Sequence, residues 1–540
     1  MQGLMQNRQL TLPWIFHRAE RQYAHKLIVT ATPHGDVETT YRDWAVRVRR
    51  LASALDLLGV SDDGRVGTFA ANNQSHLEVY FAAPCTGRVV HTINIRMSAE
   101  DVRYVVDHAK DEIVFVDRGL LADLWPTART LDGVRHWVIL DDGSDAGIPD
   151  DPRVLDYEDL LARVQPMDGR FVIDDENRAA GLCYTSGTTG RPKGVVYTHR
   201  STVLHTTMML AAGFIGVCER DRVLPIVPMF HVNAWGFPHA ALMAGADILL
   251  PGSSLAPVDL LSMIERQRAT VTGGVPTVWV STIPYLADFD LTSLRLILGG
   301  GSATPPSLSD AMRRGAGVPI THTWGMTETS PVAVIGGLRS DHDTLDETAQ
   351  REVEAFQGQP VPLVELRLVD RTSGSLQPWD GVSTGEIEVA GPWVASGYYE
   401  DGGGDGSFTE DGWLRTGDLA TINEKGYVRI VDRLKDVIKS GGEWISSVDL
   451  ENAIMSHAGV LEAAVIARPD ERWMERPVAC VVLAPDVSLA ADDIIEHLRP
   501  MVARWWLPDD VVFLDSLPRT GTGKYSKALL RSGLYPDEPS

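Results

Sequence analysis

Residues 179–199, AAGLCYTSGTTGRPKGVVYTH, limit what the chain can fold into more than any other stretch. A glycine- and hydroxyl-rich loop, 184–194, sits between the apolar run Ala179, Ala180, Leu182, Cys183 and a strand-like 194–199. Such a loop suits polyphosphate: glycines let backbone N–H groups approach oxygen anions, hydroxyls add donors, and Lys193 adds charge. A Walker-type loop would read G-x-x-x-x-G-K-[ST] and open a helix. Here Pro192 precedes the lysine and Gly194 follows it, so that template fails. An ordinary Gly/Thr hairpin turn accounts for any four of these residues, but poorly for all eleven.

Around this loop the chain alternates between two periodicities. Trp44, Val48, Leu51, Leu55 and Leu58 recur at helical spacing and predict a helix over 41–58, ending near Gly59. Strands over 65–70, 89–93 and 112–116 alternate with helices over 75–83 and 99–109, which predicts a layered α/β sheet with parallel strands. Residues 141–151, DDGSDAGIPDD, read as a polar loop. Near the C-terminus the spacing predicts a helix over 447–456, strands over 460–467 and 478–484, and a helix over 490–499. A chain of 540 residues has room for several such units.

The formal net charge is −24, which argues against nucleic acid or an anionic membrane surface as partner. Any polyanionic substrate must therefore be held by local groups. Cys85, Cys183, Cys218 and Cys480 lie far apart with no C-x-x-C pair, and are expected as buried thiols of a reducing compartment. The N-terminal MQGLMQNRQLTLPW has polar residues where a secretory segment would be apolar. The longest charge-free run, 223–246, carries three prolines and two histidines, unlike a membrane helix. A cytoplasmic protein without a membrane span is expected.

Several further segments carry chemistry. Residues 223–236, VLPIVPMFHVNAWG, bracket His231 with Phe230 and Trp235. Two glycine clusters, 273–277 (GGVPT) and 299–306 (GGGSATPP), follow strand-like runs, where bare backbone lets a ring or an acyl chain lie close. Residues 321–331 read THTWGMTETSP, 385–399 GEIEVAGPWVASGYY, 413–419 WLRTGDL, 432–445 DRLKDVIKSGGEWI and 517–527 LPRTGTGKYSK. Taken singly, each admits a plain reading: a polar core histidine, a packed tryptophan, a turn aspartate, a surface hairpin, a solvent lysine. Lys524 is followed by Tyr525, so the Walker template fails here too.

Taken together and in this order, the segments resemble the adenylate-forming superfamily of acyl-CoA synthetases, peptide-synthetase adenylation domains and beetle luciferases. The resemblance covers nearly the whole chain. It implies a large N-terminal domain of layered sheets and helices over 1–432, a hinge at 433–436, and a small mobile α+β domain over 437–540. Thr185, Ser186, Gly187, Thr188, Thr189, Gly190 and Lys193 would form the phosphate loop. Gly301, Ser302, Ala303, His322, Thr323, Trp324, Gly325, Met326 and Thr327 would back the adenine and α-phosphate. Glu328 and Thr185 would hold Mg2+, and Asp418 and Arg433 the ribose, with Lys435 as hinge residue. Lys439, Gly441, Gly442, Glu443 and Trp444 would serve thioester formation. His231, Trp235, Val275, Gly300 and Gly301 would line the acid pocket. Lys524, with His231, Thr185 and Glu328, would carry adenylation.

The implied activity is an ATP-dependent ligase that forms acyl-AMP and then acyl-CoA, using ATP, Mg2+ and coenzyme A, in a homodimer. N-A-W around Trp235 looks most like fatty-acid ligases, in which the matching tryptophan gates an acyl tunnel. The overall pattern is similar to 3-methylmercaptopropionate-CoA ligases, so that short thioether acid ranks first, followed by medium- or long-chain fatty acids. The extra glycine and the paired prolines in GGGSATPP depart from the fatty-acid pattern and leave tunnel length open. Two other classes share the adenylation residues: a luciferase-like monooxygenase and a non-catalytic nucleotide-binding protein.

Overall fold

In the computed structural model, which describes residues 1, 3–185, 191–400, 406–521 and 523–535, the helix Gln74–Cys85 is buried at every residue from His76 onward. A helix with no polar face must be surrounded by apolar elements. It packs against the amphipathic helix Tyr41–Leu57, whose inward stripe is Tyr41, Trp44, Val48, Leu51 and Leu55. One continuous core joins these two helices to residues from both large sheets, among them Val66, Ile113 and Phe115 on one side and Ile28, Val223 and Leu298 on the other. Phe16, Trp44 and Phe81 meet at centroid separations of 5.5 and 5.3 Å in this layer. Burying each such side chain contributes about 1.5–3 kcal/mol.

Among the described residues the strands form four sheets. The seven-stranded sheet runs Val154–Asp156, His136–Leu140, Asp111–Asp117, Arg65–Phe69, Val89–Thr92, Ala179–Tyr184, Gly194–Thr198. It is parallel until its last pair, which is antiparallel, with Tyr184 opposite Gly194. The 184–194 loop is therefore a connection between adjacent antiparallel strands, as in the hairpin reading that the composition of all eleven residues disfavours. The nine-stranded sheet has a parallel centre, Ile320–Gly325, Leu296–Gly300, Val271–Gly274, Arg222–Pro225, and antiparallel edges. Both glycine clusters and the 321–331 segment span the carboxyl ends of these strands, and His231 follows one of them, where open α/β sheets hold ligands.

A four-stranded antiparallel sheet, Glu365–Val369, Gly385–Ala390, Leu414–Ile422, Val428–Arg433, follows. The smaller C-terminal domain carries a five-stranded sheet in which Asp510–Phe513 adds a parallel strand to Met474–Leu483. The sequence periodicities do not signal that strand or the hairpin Leu27–Thr32/Gly35–Thr40. The predicted elements over 41–58, 65–70, 75–83, 89–93, 99–109 and 112–116 all occur, displaced by at most two residues at each end. Three cysteines are buried, but Cys218 is exposed, contrary to expectation: it opens the turn before Arg222–Pro225, where its backbone N–H and carbonyl are both held by Asp221 while the thiol faces outward. No helix among the described residues is long and apolar enough to cross a membrane.

Candidate active site

The C-terminal lysine loop reaches into the large domain. A β-carbon placed on Gly301 would stand 3.0 Å from Lys524 Cε and 3.6 Å from its Nζ. With φ at +85°, Gly301 uses glycine's freedom both in conformation and in space. Thr277 donates its hydroxyl to the Gly523 carbonyl at 2.9 Å, and Val275 lies against both Gly301 and Gly523. Both glycine clusters thus meet the lysine loop, the first at Gly523 and the second at Lys524 itself. The Arg96 guanidinium lies 5.9 Å from the Phe230 ring centroid, and its Nη1 would be 3.8 Å from a β-carbon on Gly523. Burial, then the positive charge of Arg433, pulls the Lys524 amine down to about 8, against the opposing carboxylates of Asp418 and Glu328. Burial, then Lys524 and Arg96, pushes the His231 imidazole down to about 3, so it is neutral at physiological pH.

Trp235 closes this region from the other side. Its Cη2 would lie 3.2 Å from a β-carbon on Gly300, so the indole rests on bare backbone. The indole is 6% exposed. The turn that carries it is unusual: Val232, Asn233, Ala234 and Trp235 have φ of 46°, 49°, 49° and 54°. Left-handed backbone costs L-residues about 1–2 kcal/mol each, so surrounding contacts must hold this turn.

At the loop expected to hold phosphate, Thr185 and Lys193 are joined by two bonds, Thr185 N–H to the Lys193 carbonyl (2.8 Å) and Lys193 N–H to Thr185 Oγ1 (3.1 Å). Ser186, Gly187, Thr188, Thr189 and Gly190 lie outside the described residues. Lys193 Nζ sits 4.7 Å from the Tyr398 ring centroid, and the Tyr398 hydroxyl donates to Glu328 Oε1 at 2.7 Å. Tyr197 fixes the same segment by donating to the Thr327 carbonyl at 2.7 Å. Burial raises the Glu328 carboxyl above its ordinary range, opposed by the Tyr398 hydrogen bond and by Arg433 and Lys524. Among the described residues no three His, Cys, Asp or Glu converge as a metal cage. A lone buried carboxylate near a hydroxyl-bearing loop fits Mg2+, which keeps several waters and bonds phosphate oxygens.

Asp418 does not sit in the turn of its plain reading. It lies inside the strand Leu414–Ile422, directly opposite Arg433 on Val428–Arg433, and the preceding Gly417, with φ at 72°, absorbs the local irregularity. Its two oxygens are engaged separately: Trp324 donates its indole N–H to Oδ2 at 2.8 Å, and Arg433 Nε lies 3.2 Å from Oδ1. His322 and Thr323 are buried on the strand Ile320–Gly325, ahead of Met326 and Thr327, whereas beyond Gly301 Ser302 is exposed and Ala303 half-buried.

Lys439, Gly441, Gly442, Glu443 and Trp444 form the hairpin Ile438–Ser440/Glu443–Ile445, with φ of 62° and 90° at its two glycines. Its contacts are with its own domain, Lys439 N–H to Glu475 and Gly441 N–H to the Trp473 carbonyl, and Trp444 is 46% exposed. Lys435 is exposed in the short link between Val428–Arg433 and Ile438–Ser440. Trp393, which could have faced coenzyme A or protein, is core: it is 2% exposed and donates to the Val332 carbonyl at 3.2 Å. Sequence reasoning missed Arg96, Tyr197, Thr277 and Tyr398. None stands at a distinctive spacing, although Tyr197, Thr277 and Tyr398 fall inside segments already singled out.

Comparison with known proteins agrees with this arrangement. The AMP-binding enzyme family matches residues 15–399, and the AMP-binding enzyme C-terminal domain matches residues 449–524. A long-chain-fatty-acid–CoA ligase of Thermus thermophilus is 42% identical over 98% of this chain and 96% of its own. A 3-methylmercaptopropionyl-CoA ligase of Ruegeria lacuscaerulensis is 40% identical over 98% of both. The crystal structure of an anthranilate CoA ligase in complex with anthranoyl-AMP superposes with a TM-score of 0.87 at 25% identity, covering 97% of each chain. A Lys524 loop seated on Gly301, an Asp418–Trp324–Arg433 cluster and a buried Glu328 thus occur in a chain that belongs to the AMP-binding enzyme family, as an AMP-forming acid–CoA ligase that uses ATP, Mg2+ and coenzyme A.

Proposed function

We propose that the chain activates a short- or medium-chain apolar carboxylic acid, with 3-methylmercaptopropionate as first candidate, in the cytoplasm. The single observation that carries this reading is the Trp235 indole resting on Gly300, one residue from the Gly301 that meets Lys524. An apolar wall so near the lysine leaves room for a small acyl group and excludes water from a reactive acyl-adenylate. Thioether sulfur and methylene make similar contacts with such a wall. The 40% identity to a 3-methylmercaptopropionyl-CoA ligase supports the same choice. A second reading, a longer fatty acid, draws on the strained turn under Trp235, which could release the indole, and on the relative named for long-chain acids.

In the first half-reaction the acid's carboxylate oxygen attacks the α-phosphorus of ATP, the bond to the bridging oxygen breaks, and pyrophosphate leaves. Lys524 offers its ammonium to the carboxylate and the α-phosphate, while neutral His231 lies beside the acid without competing for its charge. Asp418 has one acceptor site left on each oxygen for the two ribose hydroxyls. Glu328 and Thr185 would hold Mg2+, which when bound neutralises triphosphate oxygens. We assign residues 1–432 to the large domain, 433–436 to a hinge and 437–540 to a mobile domain. Rotation about Lys435 would withdraw Lys524 and bring in the exposed Trp444 hairpin, where the coenzyme A thiolate attacks the acyl carbonyl and AMP leaves.

The test is a pyrophosphate-release screen over 3-methylmercaptopropionate, butanoate, octanoate, palmitate and benzoate, with and without coenzyme A. Highest kcat/KM on the thioether acid or octanoate, with acyl-CoA formed, supports the reading. Preference for palmitate would favour the second reading, and preference for benzoate would overturn both.

A further inference from the structure

The turn that carries Trp235 is held from outside the acid pocket. Asn72, 3% exposed, spans the chain ahead of it with three hydrogen bonds. Its Nδ2 donates to the carbonyls of Pro225 (2.9 Å) and Val227 (3.0 Å), and its Oδ1 accepts the Met229 N–H at 2.6 Å. Tyr80, 1% exposed on the buried helix Gln74–Cys85, donates its hydroxyl to the Met229 carbonyl. Both main-chain polar groups of Met229 are thus taken by these two side chains, two residues before His231. Asn72 is itself anchored: the flanking Ala71 N–H and Asn73 amide bond the two oxygens of buried Asp117 at 2.8 and 2.9 Å.

Past Met229 the backbone has little choice. His231 N–H bonds the Pro228 carbonyl, and the chain then enters the four left-handed residues Val232–Trp235, none of them glycine. Of those residue types only asparagine visits that region readily, so at Val232, Ala234 and Trp235 the conformation has to be imposed. The Asn233 carboxamide oxygen receives the Cys183 thiol at 3.4 Å, which ties the turn to the strand feeding the phosphate loop. The hydrogen bonds from Asn72 and Tyr80 fix where the turn begins, and Cys183 holds its middle.

We propose that Asn72 and Tyr80 are positioning residues for acid recognition: by clamping Pro225–Met229 they impose the left-handed turn that sets the Trp235 indole on Gly300 and His231 toward Lys524. This rests on reading Trp235 and His231 as the acid site. Neither side chain touches the acid; each acts through the backbone that presents those two residues. They should therefore set which acids are accepted, and how well, without altering the nucleotide side.

The experiment compares wild type, Asn72→Ala and Tyr80→Phe by acid-dependent pyrophosphate exchange with butanoate and dodecanoate, titrating ATP in parallel. Loss of the clamp is expected to lower kcat/KM for the wild type's preferred acid by about tenfold or more. The butanoate-to-dodecanoate ratio should shift by several-fold, with the KM for ATP unchanged. Tyr80→Phe loses only a hydroxyl and keeps the buried ring, so it guards against a variant that fails to fold, checked by near-UV circular dichroism. A folded variant whose acids all lose activity in equal proportion, or whose ATP KM rises as much as its acid KM, would overturn the proposal. Wild type inert toward both acids yet active on another class would instead refute the acid-site reading beneath it.

Discussion

Trp324 donates its indole N–H to Asp418 across 2.8 Å, joining the end of one strand in the nine-stranded sheet to the middle of another in the four-stranded sheet. Asp418 is 7% exposed, so this bond and the Arg433 contact are what make a buried carboxylate tolerable there. Trp324→Phe keeps a ring and removes the donor. The carboxylate is then free to turn, and the KM for ATP is expected to rise by about tenfold, in line with losing a charge-assisted hydrogen bond. The acid KM should hold, as measured by pyrophosphate exchange. An unchanged ATP KM would reduce Trp324 to a packing residue.

The Lys524 amine, brought down to about 8 by burial and by Arg433, predicts the alkaline limb of adenylation. Because the protonated form is the useful one, kcat/KM for acid-dependent pyrophosphate exchange should fall as pH rises through about 8. Lys524→Arg keeps a charge at every accessible pH and should move that limb upward, though at a lower maximum. Lys524→Ala should cut acyl-adenylate formation by about 100-fold or more while sparing thioester formation from supplied acyl-AMP. Equal loss in both half-reactions would sink the division of labour between Lys524 and the Trp444 hairpin.

Much of the first lobe was legible because its periodicities are strong: Trp44, Val48, Leu51 and Leu55 read as one face of a helix, and that face is what the core takes up. The glycine clusters were legible for a related reason. Side chains at Gly300 and Gly301 would strike Thr323, Trp235 and Lys524, so only bare backbone fits. What escaped lies where tertiary contacts overrule local preference. Nothing in Val-Asn-Ala-Trp signals four positive φ angles, because the bonds of Asn72 and Tyr80 come from residues about 150 positions away. Asp418 after a glycine looks like a turn, but Gly417 serves as a break in a strand whose register then puts Asp418 opposite Arg433. Tyr398 and Arg96 have no pattern of their own and become visible only once Lys193 and Phe230 are seen against them.

His239 offers a test of stability against pH. It is 3% exposed, packs 5.4 Å from Phe81 and 5.9 Å from Tyr80, and its Nδ1 has no hydrogen-bond partner among the described residues. Burial pushes its imidazole down to about 4. The unfolded chain therefore binds this proton from about pH 6.5 downward while the folded chain refuses it, and the penalty grows until the pH reaches about 4. His239→Phe removes the penalty. Its stability relative to wild type should improve by up to about 1.4 kcal/mol per pH unit across that window, read from urea midpoints at pH 8, 6 and 5. A difference that stays constant with pH would mean that His239 is protonated in the fold.

Tyr398 links the two groups proposed to face the triphosphate, with its ring against Lys193 and its hydroxyl on Glu328. The hydroxyl bond favours the ionised carboxylate, opposing the burial that raises it. Tyr398→Phe should therefore leave Glu328 protonated at a higher pH than in wild type, and a protonated carboxyl is a poor Mg2+ ligand. Two effects are expected together: the acid limb of kcat/KM moves to higher pH, and the Mg2+ concentration for half-maximal pyrophosphate exchange rises several-fold at pH 7. The second effect should be smaller at pH 9 than at pH 7, because raising the pH favours the ionised carboxylate in both proteins. A Mg2+ requirement that rises equally at both pH values would instead assign Tyr398 to holding the loop through Lys193, with Glu328 indifferent to its hydroxyl.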